Sequence, residues 1–202
     1  MEDKLNNLDF YTDLIEIFRD KLIEMRFSID LNEEANRICL IYFNLKRRKI
    51  SAIPRTILES EEFNCPSDLQ SGLDIVRERI LNGQDLTPHL SIKLHKLDYN
   101  DSLLNDWGIY HLHLGLSLEP DGFVSRTNQV LFARFDQNFA YFITVIEHGQ
   151  WSNQEFVQII HRNWPDSVYQ FRMNIRQVNS FSNQEVGKIN LLHLRLKQNI
   201  SF

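Results

Sequence analysis

Two apolar runs, Gln129 to Phe135 and Phe139 to Glu147, stand either side of Asp136-Gln137-Asn138. Both are rich in aromatic and β-branched residues. A three-residue polar break between two such runs predicts an antiparallel hairpin, with the break as its turn. A lone hairpin is marginal in water, so this unit constrains the rest of the chain. The flanking segments must supply further strands and helices to cover it.

Upstream, Ile109 to Leu114 alternates and predicts another strand, followed by a polar loop over 116–126 with a turn at Asp121-Gly122. Before it the periodicity is helical. Phe10, Leu14, Phe18, Leu22 and Met25 predict a helix over 9–26. Asp30 and Glu33 have the spacing of a capping box for a second helix carrying Ala35, Ile38, Cys39, Tyr42 and Leu45. Residues 50–59, which hold Pro54, read as an edge strand or an extended connector. Leu69, Leu73, Val76 and Ile80 predict a third helix closed by Gly83, and a short helix is expected at 101–105. Downstream, Ser152 and Glu155 cap a helix that ends before Trp164-Pro165. A strand over 168–175, a short helix from Ser182 to about Leu192, and a tail tied into a sheet at Ile200 to Phe202 complete the reading. Helices first, then a small antiparallel sheet with helices packed on one face, is an α+β arrangement. We read residues 1–202 as a single domain, with 1–83 a helical prologue and 106–202 the β-rich part.

The 202 residues are 43% hydrophobic, with only 7 Gly and 5 Pro, which excludes disordered, collagenous and low-complexity classes. The net charge of -5 argues against a globally basic nucleic-acid coat but leaves room for a local basic patch. Cys39 and Cys65 form no CxxC pair and read as free thiols in a reducing compartment. The acidic start at Met1 lacks the apolar core of a signal peptide, and no apolar run is long enough to span a bilayer. A cytoplasmic protein without a membrane partner is expected.

Candidate chemistry gathers in the β-rich part. His111 and His113 are two apart on a strand and so face one side, while Tyr110, Leu112 and Leu114 face the other. Imidazoles on one face and apolar residues on the other suggest a site, because imidazole exchanges protons near neutral pH. Hydrogen-bonded structural histidines and metal ligands remain open alternatives for the pair. Arg126 ends the loop before the second strand, and Arg134 lies inside that strand. A guanidinium fork is a natural phosphate partner, and a cross-strand ion pair is the alternative. His148 follows the long third strand, placed for proton transfer. Trp151 is suited either to stacking on a base or to sealing the sheet edge. Lys46-Arg47-Arg48-Lys49 suits a helix C-terminus electrostatically and also suits phosphate binding.

An arginine-ended loop, a strand of the type Val130 to Ala133, a polar turn and an apolar strand ending at His148-Gly149 resemble the RelE-like ribonuclease toxins. They also resemble the wider barnase–EndoU–colicin–RelE-like nucleases. The resemblance covers residues 107–150. It implies helices preceding a four-stranded antiparallel sheet, an active site on the sheet's open face, and metal-independent RNA cleavage with no cofactor. Carried over, Arg126 and Arg134 hold the scissile phosphate. His111 or His113 acts as base or acid, and His148 as its complement. Trp151, Lys46, Arg47 and Arg48 join Arg134 as substrate-binding residues. The chain departs from those toxins in its double length, its acidic charge and its His-x-His strand. The implied partners are an RNA substrate and an antitoxin or other protein held by the N-terminal helices.

Two other classes stand beside this one. A non-enzymatic protein-binding or regulatory domain would show an exposed apolar patch on helix 9–26. A metallohydrolase would use His111 and His113 with a third ligand from His148, Asp106 or His95. The sequence contains no Gly-rich phosphate loop, no G-x-S-x-G and no H-E-x-x-H.

Overall fold

A computed structural model describes residues 9–25, 27, 29–30, 32–96, 99, 101–147 and 154–167. His148, Trp151 and the expected strand, helix and tail beyond residue 167 lie outside these residues, as do Ser152 and Asn153 of the expected cap. The described chain forms two compact units, 9–51 with 92–99, and 52–91 with 101–167.

The first unit is a helix pair, α1 (Phe10–Glu24) and α2 (Ala35–Arg48). Asp9 caps α1 by accepting from the amides of Tyr11 and Thr12. The helices bury Ile15, Phe18 and Leu22 against Ile38, Ile41, Tyr42 and Leu45, with Phe18 stacked on Tyr42 at 4.2 Å. The expected capping box is replaced. Asp30 instead accepts from the amide of Asn32 at 2.9 Å in a turn, and Glu33 pairs with Arg37 one helical turn on. The local Asp30 turn competes with helix nucleation, so α2 starts at Ala35.

The second unit holds β1 (Thr56–Glu59), α3 (Gln70–Leu81), α4 (Ser102–Trp107), β2 (Ile109–His113), β3 (Gln129–Phe135), β4 (Phe139–Glu147) and α5 (Gln154–Asn163). The sheet order is β1-β4-β3-β2. The α+β class holds, but the sheet is mixed rather than wholly antiparallel, because β1 pairs parallel to β4. The expected edge strand therefore joins the hairpin on its far side. Asp136 closes the hairpin turn by accepting from the amides of Asn138 and Phe139 at 2.8 and 2.7 Å. The register slips between Phe132 and Ala133, where β4 carries the extra residue Ile143.

Both sheet faces are covered, so helices are not confined to one. Ile109, Val130, Phe132 and Ile143 pack with Leu103 of α4 and Phe156, Ile159 and Ile160 of α5. By alternation Leu112 and Leu131 face the other way, and both are fully buried. Helix α3 buries Leu73, Val76 and Ile80, and at Gly72 its backbone meets the carbonyl of Leu114 with no room for a side chain. The helix and strand segments on either side of residue 83 thus belong to one unit. The boundary falls at residue 51, and 92–99 returns to the helix pair. Gly83, with φ +65°, ends α3 as expected.

Candidate functional site

The one face shared by His111 and His113 is real, but it is not an open face. His111 is 5% exposed and His113 2%. They sit opposite Phe132 and Val130 on β3, on the side that α4 and α5 cover. Their rings are 6.4 Å apart, edge to face, and His111 lies 6.4 Å from the ring of Phe132. His111 Nδ1 is 3.9 Å from the carboxylate of Asp101, which also caps α4 by accepting from the amide of Leu104. The alternation that suggested a site placed the histidines correctly on one face. It could not show that α5 returns to cover that face.

His113 lies at the edge of a cleft. With Arg126, Thr127, Asn128 and Glu147 it lines a depression of about 410 Å³. The depression lies where β2 and β4 end and β3 begins, since His113 pairs with Val130, and Gln129 with Glu147. Arg126, Asn128 and Glu147 are exposed there, while Thr127 is half-buried. Thr127 fastens the loop. Its hydroxyl donates to the Gln129 carbonyl at 2.5 Å and accepts from the amide of Leu114 at 3.3 Å. Its amide donates to His113 Nδ1 at 3.4 Å. Behind it, His89 Nδ1 bonds the His113 carbonyl at 2.8 Å, and the His89 ring is 1% exposed. Burial holds His89 below the usual imidazole range, outweighing the opposing effect of that carbonyl.

Two of the other expected phosphate ligands, Arg134 and Arg48, are engaged elsewhere. Arg134 is buried, and its guanidinium donates to the carbonyl of Ser167, beyond α5. Burial lowers its proton affinity, against the pull of Tyr141 and Asp136. It is not among the residues lining the cleft. Arg48 is buried in the first unit, donating to the carbonyls of Lys96, at 2.6 Å, and Tyr99, with its guanidinium 5.4 Å from the Tyr99 ring. Lys46 and Arg47 are exposed in the last turn of α2. No three His, Cys, Asp or Glu side chains among the described residues are placed to hold a metal ion. His95 belongs to the first unit, and His111, His113 and Asp106 to the second. Both cysteines are free. No helix among the described residues is long and apolar enough to cross a membrane.

Sequence reasoning brought His113 and Arg126 forward, and the fold brings them together. It passed over Thr127, Asn128 and Glu147. A Thr-Asn pair after a loop arginine, with a carboxylate ending an apolar strand, was the signal available. The cleft offers a guanidinium, a carboxamide and an exposed carboxylate beside the buried His113. That set can hold an anion and accept a proton beside it. Compared with protein-family models, curated proteins and solved structures, the chain matches none.

Proposed function

We propose that the cleft binds and cleaves RNA at a phosphodiester, without metal or cofactor. The observation that carries this reading is the convergence of His113 and Arg126, from separate elements, with Glu147 on one opening. Arg126 holds the phosphate, where a fork of donors matches its oxygens. Glu147 takes the proton of the 2′-hydroxyl as that oxygen attacks phosphorus. Arg126 offsets the charge that develops on the phosphorane oxygens. The complementary acid expected from the sequence is His148, which lies outside the described residues; it would protonate the departing 5′-oxygen. His113 orients the loop from below instead of acting as the base. The chain resembles the RelE-like toxins in its hairpin, and the covered histidine face is a departure from their open-faced site.

The test is RNA cleavage by the full chain with and without chelator, comparing wild type with Arg126→Ala and Glu147→Gln. Both positions are exposed, so neither change threatens folding. Chelator-resistant cleavage that leaves a 2′,3′-cyclic phosphate and falls at least about a hundredfold in each variant is expected. Cleavage abolished by chelator, unaffected by both substitutions, or absent from the wild type overturns the reading.

A second reading is a protein-docking role for the helix pair. It rests on large apolar side chains left in solvent on α1 and α2, among them Phe10 at 80%, Leu40 at 65% and Phe43 at 55% exposure. An antitoxin or other protein partner would cover them. Leu40→Glu abolishing capture of such a partner, with RNA cleavage intact, would separate this role from the cleft.

A further inference from the structure

Helices α1 and α2 run in the same direction. The Tyr11 hydroxyl, in the first turn of α1, donates to the Asn36 carboxamide in the first turn of α2 at 3.2 Å. Further along both helices, Phe18 stacks on Tyr42. On one side of this seam Thr12, Glu16, Arg19 and Ala35 border a hollow. On the other side Phe43 packs edge to face on Phe18 at 5.2 Å, yet more than half of it is left in solvent. Phe10, Leu14 and Ile17 follow one another at i, i+4 and i+7 on α1, and Leu40 and Phe43 at i and i+3 on α2, so each set is a stripe along its helix. The α1 stripe lies across the helix from Thr12, Glu16 and Arg19. The two stripes therefore share the Phe43 side.

The two helices carry opposite charge. Phe10–Glu24 holds four acidic and two basic residues, a net of -2, and Asp13, Glu16, Asp20 and Glu24 are all exposed. Ala35–Arg48 holds four basic residues and no acidic one, a net of +4, with Arg37, Lys46 and Arg47 exposed. A face with one acidic and one basic border is complementary to itself when turned about a two-fold axis. We propose that this face joins two copies of the chain, with α1 of each copy lying along α2 of the other and Phe10, Ile17, Leu40 and Phe43 buried between them. The inference rests on the docking reading of the helix pair and names its partner. It is independent of RNA cleavage. Exposed apolar stripes alone mark an association surface. The opposite signs of the two helices select a second copy as the occupant, because the same pair supplies both halves of the match.

The experiment is sedimentation equilibrium of the full chain from about 1 to about 100 µM, a range that covers ordinary dimer affinities. A mass of twice 24.0 kDa is expected. Ile17→Lys and Leu40→Glu replace exposed side chains, one on each helix. Each is expected to weaken the dimer at least about tenfold, with far-UV circular dichroism unchanged. Leu81→Glu, also exposed but on α3, is expected to leave the dimer intact. An equal mixture of the Ile17→Lys and Leu40→Glu chains is expected to recover it, since the lysine on α1 of one copy then lies along the glutamate on α2 of the other. Four results overturn the proposal. They are a monomer throughout the range, a dimer indifferent to both substitutions, a dimer lost in Leu81→Glu as well, and a mixture that associates no better than its components. A monomer overturns self-pairing only. The docking reading fails separately, if Leu40→Glu leaves capture of a different protein unchanged.

Discussion

Gly72→Ala sets helix propensity against packing, and the structure decides the sign. Gly72 is buried in α3, where alanine is favoured over glycine by at most about 1 kcal/mol. A Cβ built there would lie 1.9 Å from the carbonyl oxygen of Leu114, 2.7 Å from its carbonyl carbon and 3.0 Å from its Cβ. The first contact is about 1 Å inside the closest approach that real Cβ atoms make. Neither party can rotate away, because the obstacle is backbone just past the end of β2. The helix must then lift, and Leu73, Val76 and Ile80 lose part of their contact. Overpacking of this kind costs about 1–3 kcal/mol, and rigid backbone on both sides puts it at the upper end. The net expectation is a loss of about 2 kcal/mol, a fall in Tm of roughly 4–8 °C for a chain of this size. Thermal unfolding of Gly72→Ala beside the exposed control Ser71→Ala measures it. A variant as stable as wild type, or more stable, refutes the close approach of α3 to β2.

Phe132→Ala removes a fully buried ring 4.5 Å from Phe156 and should cost about 3–5 kcal/mol in urea unfolding; a loss below about 1 kcal/mol would contradict the packing of α5 on the sheet. Arg134→Met strips the Ser167 carbonyl of its guanidinium donor and should destabilise by about 1–3 kcal/mol, with RNA binding in a filter assay unchanged. Weaker binding with unaltered stability would return Arg134 to the phosphate. For His89, burial lowers the folded proton affinity below that of the unfolded chain. The unfolded state therefore binds more protons in acid, and stability present above about pH 6.5 is lost progressively as the pH falls from that value toward the lowered folded one. His89→Asn keeps a donor toward the His113 carbonyl and should flatten this part of the pH dependence. An unchanged slope would show that another group carries it.

The described secondary structure is largely local information. The hairpin over 129–147, the strand from Ile109, the helix from Phe10 and the stop at Gly83 follow from period, turn chemistry and backbone freedom. Each can be read within a dozen residues. The Asp30 turn shows the limit even there, since one short side chain can cap a helix or bond its own neighbours, and only the folded chain chooses. The candidate site was legible in part. Alternation put His111 and His113 on one face, and Arg126 stood out at its loop end. What alternation cannot say is what lies above a face. Burial depends on α5, more than forty residues downstream, crossing back over the histidines. Long-range partners likewise decided that β1 runs parallel to β4, that Arg134 reaches Ser167, and that Arg48 is used up on the carbonyls of Lys96 and Tyr99. The sequence by itself determined the elements and the sidedness of their residues, because those depend on backbone geometry over a few positions. Only the tertiary structure decided which charged side chains were left to face a ligand, because desolvation and hydrogen bonding are settled by residues distant in the chain.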